Sequence, residues 1–468
     1  MIMADLAPRV ELTLDNLSYG GDAVGRTEGK VVFAAYGLPG ERVRVSLSEQ
    51  KKNFARGAVS EVLGEPSPER VQPRCEYFGK CGGCQWQHMG YDYQLASKSK
   101  LLAEQLRRVA GLEMQPEAPI AAPDPWAYRN LARFQVSYPE IGSGEVGYYR
   151  RESHSIVAIE RCYIVHPRIV SMIELIDRFV RVMPHGALSA ITVRVSFADE
   201  SSYLLLHQGT TTVNMGDVRR MLTEWVKREQ VAERYGLRGI ATLPPAARQR
   251  GRDSQPQPGD IGGEGGEVAE VSAYVLWGKG DFSEQVAGRT FQLAPAGFFQ
   301  VSSQAAGELV RTVNALVGKV DTVLDLYSGV GLFGLSLLAE KQVRRAVGIE
   351  LQTEAVKAAR ENADALKVGS QAVFQIGRVE DVLPDLLADG LQAEAIIVDP
   401  PRSGLAPTAL QALAEVPAER LVYVSCDPST LARDVAALAP LYRLRSTRVV
   451  DLFPQTYHIE SVSLLERI

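Results

Sequence analysis

No run of about 18 uncharged apolar residues occurs in this sequence, so no membrane-spanning helix is expected. The opening residues, MIMADLAPRVELTLD, lack a basic stretch followed by an apolar core, and no secretory leader is expected there. No excess of positive charge announces a polyanionic partner. There are 51 Lys and Arg against 56 Asp and Glu, a net charge of −5. Any nucleic-acid contact must therefore come from local patches. Cysteine is scarce and odd in number, five in 468 residues, which argues against a disulfide scaffold. These absences predict a cytoplasmic protein with reduced thiols and no membrane contact. No protein partner is evident, and a monomer is the expectation. The remaining composition, 46% apolar and 23% charged, is that of a globular chain with room for about three domains.

Residues 1–64 alternate apolar and polar positions, as in Val10, Leu12 and Leu14 and again in Val43, Val45 and Leu47. Gly20, Gly21, Gly29, Gly37 and Gly40 punctuate these runs, which predicts a small OB-like β-barrel. Lys51, Lys52, Phe54 and Arg56 form a basic-aromatic cluster that could follow a phosphate backbone. A solvated hairpin tip accounts for the same residues and is the simpler reading. Residues 65–290 predict a central α+β domain with a helix near 93–109. There, Trp126, Tyr128, Phe134, Tyr138, Tyr148 and Tyr149 interleave with Arg129, Arg133, Arg150 and Arg151. Such residues suit either single-stranded bases or the packing of a sheet. Residues 243–267 are rich in Pro, Gly and Gln, which predicts a disordered insertion. From residue 291 apolar strand-like runs alternate with helical stretches, the rhythm of a doubly wound, Rossmann-like parallel sheet.

Ligands in such sheets bind beyond the carboxyl ends of the strands, and the motifs fall there. Strand Val323–Tyr327 runs into Gly329, Gly331 and Gly334 at G-x-G-x-x-G spacing, and Glu350 ends the next strand. The glycines permit close backbone approach, and the carboxylate can accept from ribose hydroxyls. Alone, this fits NAD as well as S-adenosylmethionine. Asp325 inside the strand end, and the chemistry downstream, favour the methyl donor. Asp399-Pro400-Pro401-Arg402 closes another strand with a stiff loop. Cys426 ends the strand LVYVS and precedes Asp427 and Pro428, an expected helix N-cap and first turn. A lone cysteine is often a small buried hydrophobe. At a helix N-terminus on this sheet edge, a nucleophilic thiolate is the better reading.

A methyl donor beside a thiol narrows the reaction. The C5 of a pyrimidine is too weak a nucleophile to take a sulfonium methyl unaided. Thiolate addition at C6 creates an enolate whose C5 can. A base must then remove the C5 proton, and Glu460 in Tyr457-His458-Ile459-Glu460 is the best candidate. It could equally be a surface residue on the last strand, and His458 is a weaker alternative. The other four cysteines, Cys75-x5-Cys81-x2-Cys84 and Cys162, could hold zinc or a [4Fe–4S] cluster, and spacing leaves both open.

At this point the residues resemble the bacterial RNA uracil-C5 methyltransferases that act on 23S ribosomal RNA, with relatives acting on the transfer-RNA T loop. CEYFGKCGGCQWQH with Cys162 resembles that family's cluster-binding signature, which implies a [4Fe–4S] cluster on Cys75, Cys81, Cys84 and Cys162. PAGFFQVSSQAA nominates Gln300 and DLYSGVGLFGL nominates Tyr327 for the cofactor. VDPPRSGL nominates Asp399 for cofactor or uracil, VSCDPSTLARD carries Cys426, and DLFPQTYHIESV carries Glu460. The resemblance further implies a TRAM barrel, a methyltransferase domain over 291–468, and packing of the 93–109 helix on that domain. Ser302 and Leu332 depart from the family pattern, in which Asn and a polar residue are usual. The expected activity is methylation at C5 of a specific uridine of 23S ribosomal RNA, with a transfer-RNA T-loop uridine as the alternative. The rivals are an amino-directed methyltransferase, supported only by the DPP loop, and a non-catalytic iron–sulfur RNA-binding protein.

Overall fold

The computed structural model describes residues 8–140, 143–245, 273–294 and 296–468. The insertion expected at 243–267 lies almost wholly outside them. Strands β1 (Arg9–Leu17), β2 (Ala23–Thr27), β3 (Lys30–Ala35), β4 (Arg42–Gln50) and β5 (Phe54–Val62) close into a barrel in the order β1-β2-β3-β5-β4. The alternation seen in the sequence turns Leu12, Leu14, Val43 and Val45 inward, each at most 6% exposed. Closure leaves no open sheet edge. Of the basic-aromatic cluster, the Arg56 guanidinium lies 5.8 Å from the Phe54 ring, and 4.8 Å over that of Phe33.

The cysteine-rich segment then leads into helix α1 (Tyr91–Ala110) and the short strand β6 (Glu117–Ile120). The helix ends where Gly111, at φ 68°, turns its N–H back to Arg107 and Leu106. Leu101, Leu102 and Leu106 bury one face of α1. Lys98 is also fully buried, a residue that the helix's polarity would place outside. Its ammonium donates to Asp451 at 2.7 Å and to the Phe453 carbonyl at 2.9 Å, and Tyr91 Oη donates to the same carboxylate at 3.0 Å.

A seven-stranded sheet forms the centre. Its strands are β7 (Leu131–Ser137), β8 (Glu145–Tyr149), β9 (Ile156–Ala158), β10 (Leu188–Val195), β11 (Ser202–Gln208), β12 (Leu237–Leu243) and β13 (Tyr274–Gly278). Helices α2 (Pro167–Val182), α3 (Met215–Glu229) and α4 (Val231–Tyr235) share its core. Tyr128, Phe134, Tyr148 and Arg129 are buried, so packing accounts for those four positions of the aromatic-basic segment. A two-stranded hairpin, β14 (Phe282–Val286) and β15 (Arg289–Leu293), straddles the expected 290/291 division.

The last layer is the α/β sheet. Helix α5 (Ser303–Val317) precedes β16 (Thr322–Leu326), α6 (Leu332–Ala339), β17 (Arg345–Glu350), α7 (Thr353–Ala365), β18 (Ala372–Ile376), α8 (Val379–Ala388) and β19 (Ala395–Val398). Helix α9 (Pro407–Ala414), β20 (Arg420–Ser425), α10 (Pro428–Leu438), β21 (Tyr442–Val450) and β22 (Ser461–Arg467) complete it. The order is β18-β17-β16-β19-β20-β22-β21-β6, with β16 to β20 parallel and β22 antiparallel between β20 and β21. Strand order reverses at β16/β19, the crevice where such sheets take ligands. Helix α1 packs on α10 and β21, and β6 pairs with β21. Residues 91–120 thus lie against the last sheet.

Among the described residues no helix is long and apolar enough to cross a membrane. Replacing Lys98 by Ala leaves the buried Asp451 carboxylate without its cation. We expect a loss of roughly 3–5 kcal/mol, the usual cost of breaking a buried pair from one side. Chemical denaturation checks this, and a loss below about 1 kcal/mol would mean the pair behaves as a surface one.

Candidate active site

The carboxyl edge at the β16/β19 crevice gathers the nominated cofactor residues. Tyr327 follows β16 in a left-handed conformation, φ 62°, which a non-glycine residue adopts only when its surroundings impose it. Gly329 and Gly331 also have positive φ, 53° and 82°. A Cβ on Gly329 would enter open space, whereas one on Gly331 would meet Leu335 at 2.8 Å and Phe374 at 2.9 Å. One glycine thus fronts a free volume and the other permits packing. Glu350 accepts from Gly329 N at 3.0 Å and Gln352 N at 2.8 Å, so the carboxylate is fixed beside the glycine turn. Two acceptor oxygens with about four lone-pair sites leave capacity for hydroxyls. Asp399 follows β19, its N–H directed to the Leu326 carbonyl at 3.3 Å.

Asp325 is fully buried beneath the turn and accepts from Gly334 N at 2.9 Å. Burial pushes its carboxyl up to about 7, and the nearby Glu350 charge adds to the rise. Burial likewise raises the Tyr327 phenol to about 12, with Glu380 contributing. Gln300 stands just before α5, which leads by a short turn into β16 and so starts at the carboxyl edge. Asn130 pins this turn: its amide donates to the Gln300 carbonyl at 3.1 Å and to Ser303 Oγ at 2.8 Å. Ser302 caps α5 by accepting from Ala305 N at 3.3 Å. Leu332 opens α6 and is 6% exposed, packed in the core. The two departures from the family pattern therefore have structural roles here.

Cys426 directly follows β20 and precedes α10. Asp427 caps that helix, accepting from Ser429 N at 2.8 Å and Thr430 N at 3.2 Å, with Pro428 at its first position. Glu460 directly precedes β22. Because β20 and β22 run antiparallel with Ser425 opposite Ser461, the residues just beyond that pair, Cys426 and Glu460, come to one sheet end. Glu460 is 4% exposed, so it is not a surface residue of the last strand. Arg402 Nη2 lies 3.2 Å from His458 Nδ1, which joins the DPPR loop to the loop before β22.

The other four cysteines line one cavity with about 380 Å³ of unfilled space, part of it open to solvent. Gly82 N donates to the Tyr149 carbonyl at 2.9 Å, and a Cβ there would meet that oxygen at 3.1 Å. Burial raises the thiols of Cys81 to about 12 and Cys162 to about 11, and Cys75 and Cys84 move the same way. Among the described residues no three His, Cys, Asp or Glu side chains are grouped so as to hold a single metal ion.

Comparison with known proteins identifies the family of the chain. The family described as tRNA (Uracil-5-)-methyltransferase matches residues 283–468, and the TRAM domain matches residues 9–59. An uncharacterized RNA methyltransferase of Nostoc sp. is 32% identical, over 97% of this chain and 96% of that one. One from Caldanaerobacter subterraneus is 32% identical over 99% of both. The chain belongs to the tRNA (uracil-5-)-methyltransferase family. It is an S-adenosylmethionine-dependent RNA methyltransferase with an N-terminal TRAM barrel. The Pyrococcus abyssi tRNA (uracil-54, C5)-methyltransferase, solved with S-adenosyl-L-homocysteine, shares its fold with a TM-score of 0.68. That match is 24% identical and covers 97% of this chain and 100% of the other.

Several residues that support the candidate site escaped sequence reasoning. Asn130 lies far upstream in the chain and carries no motif. Asp434 is buried in α10 and accepts from Tyr423 Oη and Leu405 N, both at 2.7 Å, tying the 399–405 loop to the thiol's helix. Gln455, at φ 68°, accepts at its carbonyl from Gln85 N at 3.1 Å and Trp86 N at 3.0 Å. A lysine within the apolar face of α1 was the one available signal for this network. The raised Asp325 carboxyl has a pH consequence. Its proton is held in the folded state from about pH 4, where the unfolded carboxyl loses it, up to about 7. Its contribution to stability is therefore full below pH 4 and falls as pH rises to 7. Wild type should lose stability relative to Asp325→Asn over that interval, by on the order of a few kcal/mol, and run parallel above it; denaturation at a series of pH values checks this. Equal slopes throughout would show that Asp325 is ionised when folded.

Proposed function

We propose that this enzyme methylates C5 of a uridine by way of a covalent bond between Cys426 and uracil C6. The observation that carries the reading is the β20/β22 register, which brings a thiol at a helix N-terminus and a buried carboxylate to one end of the cofactor sheet. The positive end of α10 favours the thiolate of Cys426. The thiolate adds at C6, and the C5=C6 electron pair moves onto C5. S-adenosylmethionine supplies the methyl group that C5 takes. Glu460 removes the C5 proton, the C5=C6 bond re-forms, and the Cys426 sulfur leaves as thiolate. The target base must leave its stack to reach the thiol. Tyr327, Gly329, Gly331, Glu350 and Gln300 are assigned to the cofactor, and Asp399 to the cofactor or the uracil.

The substrate we favour is a uridine of 23S ribosomal RNA, supported by the barrel and the cysteine segment together. A transfer-RNA T-loop uridine is the second reading, favoured by the full-length fold match to an enzyme named for uracil-54 of tRNA. The four cysteines are assigned to a [4Fe–4S] cluster. The support for it is that all four thiols line one cavity, and four thiolates are a ligand set for such a cluster. Cysteine thiolates would hold it, and its default role is structural support of the RNA-binding region, since methyl transfer needs no redox step.

Cys426→Ala should abolish transfer of labelled methyl to RNA while cofactor binding persists. Glu460→Gln should let methyl transfer proceed but stall release, leaving a protein–RNA adduct on denaturing gels. Full activity of the first variant, or no adduct with the second, removes the assigned role. Nucleoside mass spectrometry of ribosomal and transfer RNA treated separately should find 5-methyluridine in the ribosomal pool. Methyladenosine instead would overturn the thiol mechanism. Anaerobically purified protein should contain iron and inorganic sulfide, and a colourless zinc protein would overturn the cluster.

A further inference from the structure

The β1–β2 loop of the barrel, residues 18–22, reaches the helix that begins after Cys426. Tyr19 Oη donates to Asp427 Oδ2 at 2.7 Å. The other oxygen of that carboxylate, Oδ1, serves α10: it accepts from Ser429 N at 2.8 Å, Thr430 N at 3.2 Å and Ser429 Oγ at 2.5 Å. One carboxylate is thus divided between two domains. The loop itself is held on several sides. Ser18 N donates to the Asp22 carbonyl at 2.8 Å, and Trp86 Nε1 donates to the Gly21 carbonyl at 2.9 Å. Gly21, at φ +92°, backs onto Tyr457, where a Cβ would meet the ring's Cβ and Cδ1 at 3.0 Å. The Asp22 carboxylate faces the guanidinium groups of Arg151 and Arg56. Burial and the Asp427 charge hold the Tyr19 phenol protonated, so it remains a donor.

We propose that Tyr19 is a positioning residue for the reactive thiol. Its hydroxyl orients the capping carboxylate of α10 and draws that charge away from the neighbouring Cys426. Asp427 is the closest acidic residue in sequence to the thiol, and an anion beside a thiol opposes its ionisation. A hydrogen bond from a neutral donor spreads the carboxylate charge onto the barrel. The barrel of this chain therefore does more than hold RNA: the loop between its first two strands is part of the support of the catalytic centre. This inference rests on Cys426 being the nucleophile.

The test is Tyr19→Phe in the full-length protein, which keeps the ring and removes only the donor. Two rates are read: alkylation of Cys426 by iodoacetamide, followed on its peptide by mass spectrometry, and single-turnover methyl transfer to unmodified ribosomal RNA. Both should fall roughly tenfold, the scale of one lost bond to a charged acceptor, with RNA affinity unchanged. In an Asp427→Asn background, where the cap survives and the charge does not, the same substitution should have little effect. Unchanged rates, a fall in RNA affinity alone, or an equal fall in the Asp427→Asn background would each overturn the proposal. Failure of the nucleophile reading is seen separately, as retained methyl transfer in Cys426→Ala. Alkylation of Cys426 still reports what Tyr19 does to the thiol in that case.

Discussion

The pairing of Ser425 with Ser461 is the constraint on which the candidate chemistry depends. A parallel neighbour at β20 would put the start of β22 at the far end of the sheet, a strand length away. The antiparallel turn of the chain brings Glu460 to the end where Cys426 emerges. A slip of one residue in this register would send every side chain of β22 to the opposite face. The register is over-determined. Leu465 and Val462 are buried in the sheet's cores, and Ser461 Oγ donates to the Ser425 carbonyl at 3.3 Å. The 451–460 loop that feeds it is tied down by Lys98, Tyr91 and Gln94 from α1, and by Tyr128 Oη on the Pro454 carbonyl at 3.0 Å.

The same loop carries the mechanical link to the cysteine cavity. Cys84 is followed at once by Gln85 and Trp86, whose backbone N–H groups both bond the Gln455 carbonyl. A disturbance at the thiols thus has only one or two residues to cross before it reaches the loop that leads to Glu460. The cavity and the candidate catalytic edge are two ends of one short brace. That gives four thiols a reason to be in a methyltransferase whose chemistry transfers no electrons.

Much of this was legible in the sequence because it is local. The glycine turn after β16, the Asp427 cap with Pro428, and the alternation of the barrel strands each sit within a few residues of their effect. What was hidden is long-range. The burial of Glu460 comes from a strand inserted between β20 and β21, and no pattern near residue 460 announces that neighbour. Asn130 and Asp434 act across gaps in the chain and look like ordinary polar residues. The aromatic-basic segment admitted two readings, and burial of Tyr128, Phe134 and Tyr148 decided for packing at those positions. Arginine and tyrosine at alternate strand positions say which faces exist, not which face meets solvent.

The central placement of β22 also bears on how the protein comes off the ribosome. Strands β20 and β21 precede it in synthesis, yet neither pairs with the other. Without residues 461–467 in the gap, each would keep an unpaired backbone edge. An open β edge is a template for unwanted pairing. A product cut short before residue 460 would lack both Glu460 and the filling strand, and would display two such edges at once. Chaperones and proteases could recognise it on that ground, so that the carboxylate assigned to catalysis and the strand that completes the sheet would be lost together.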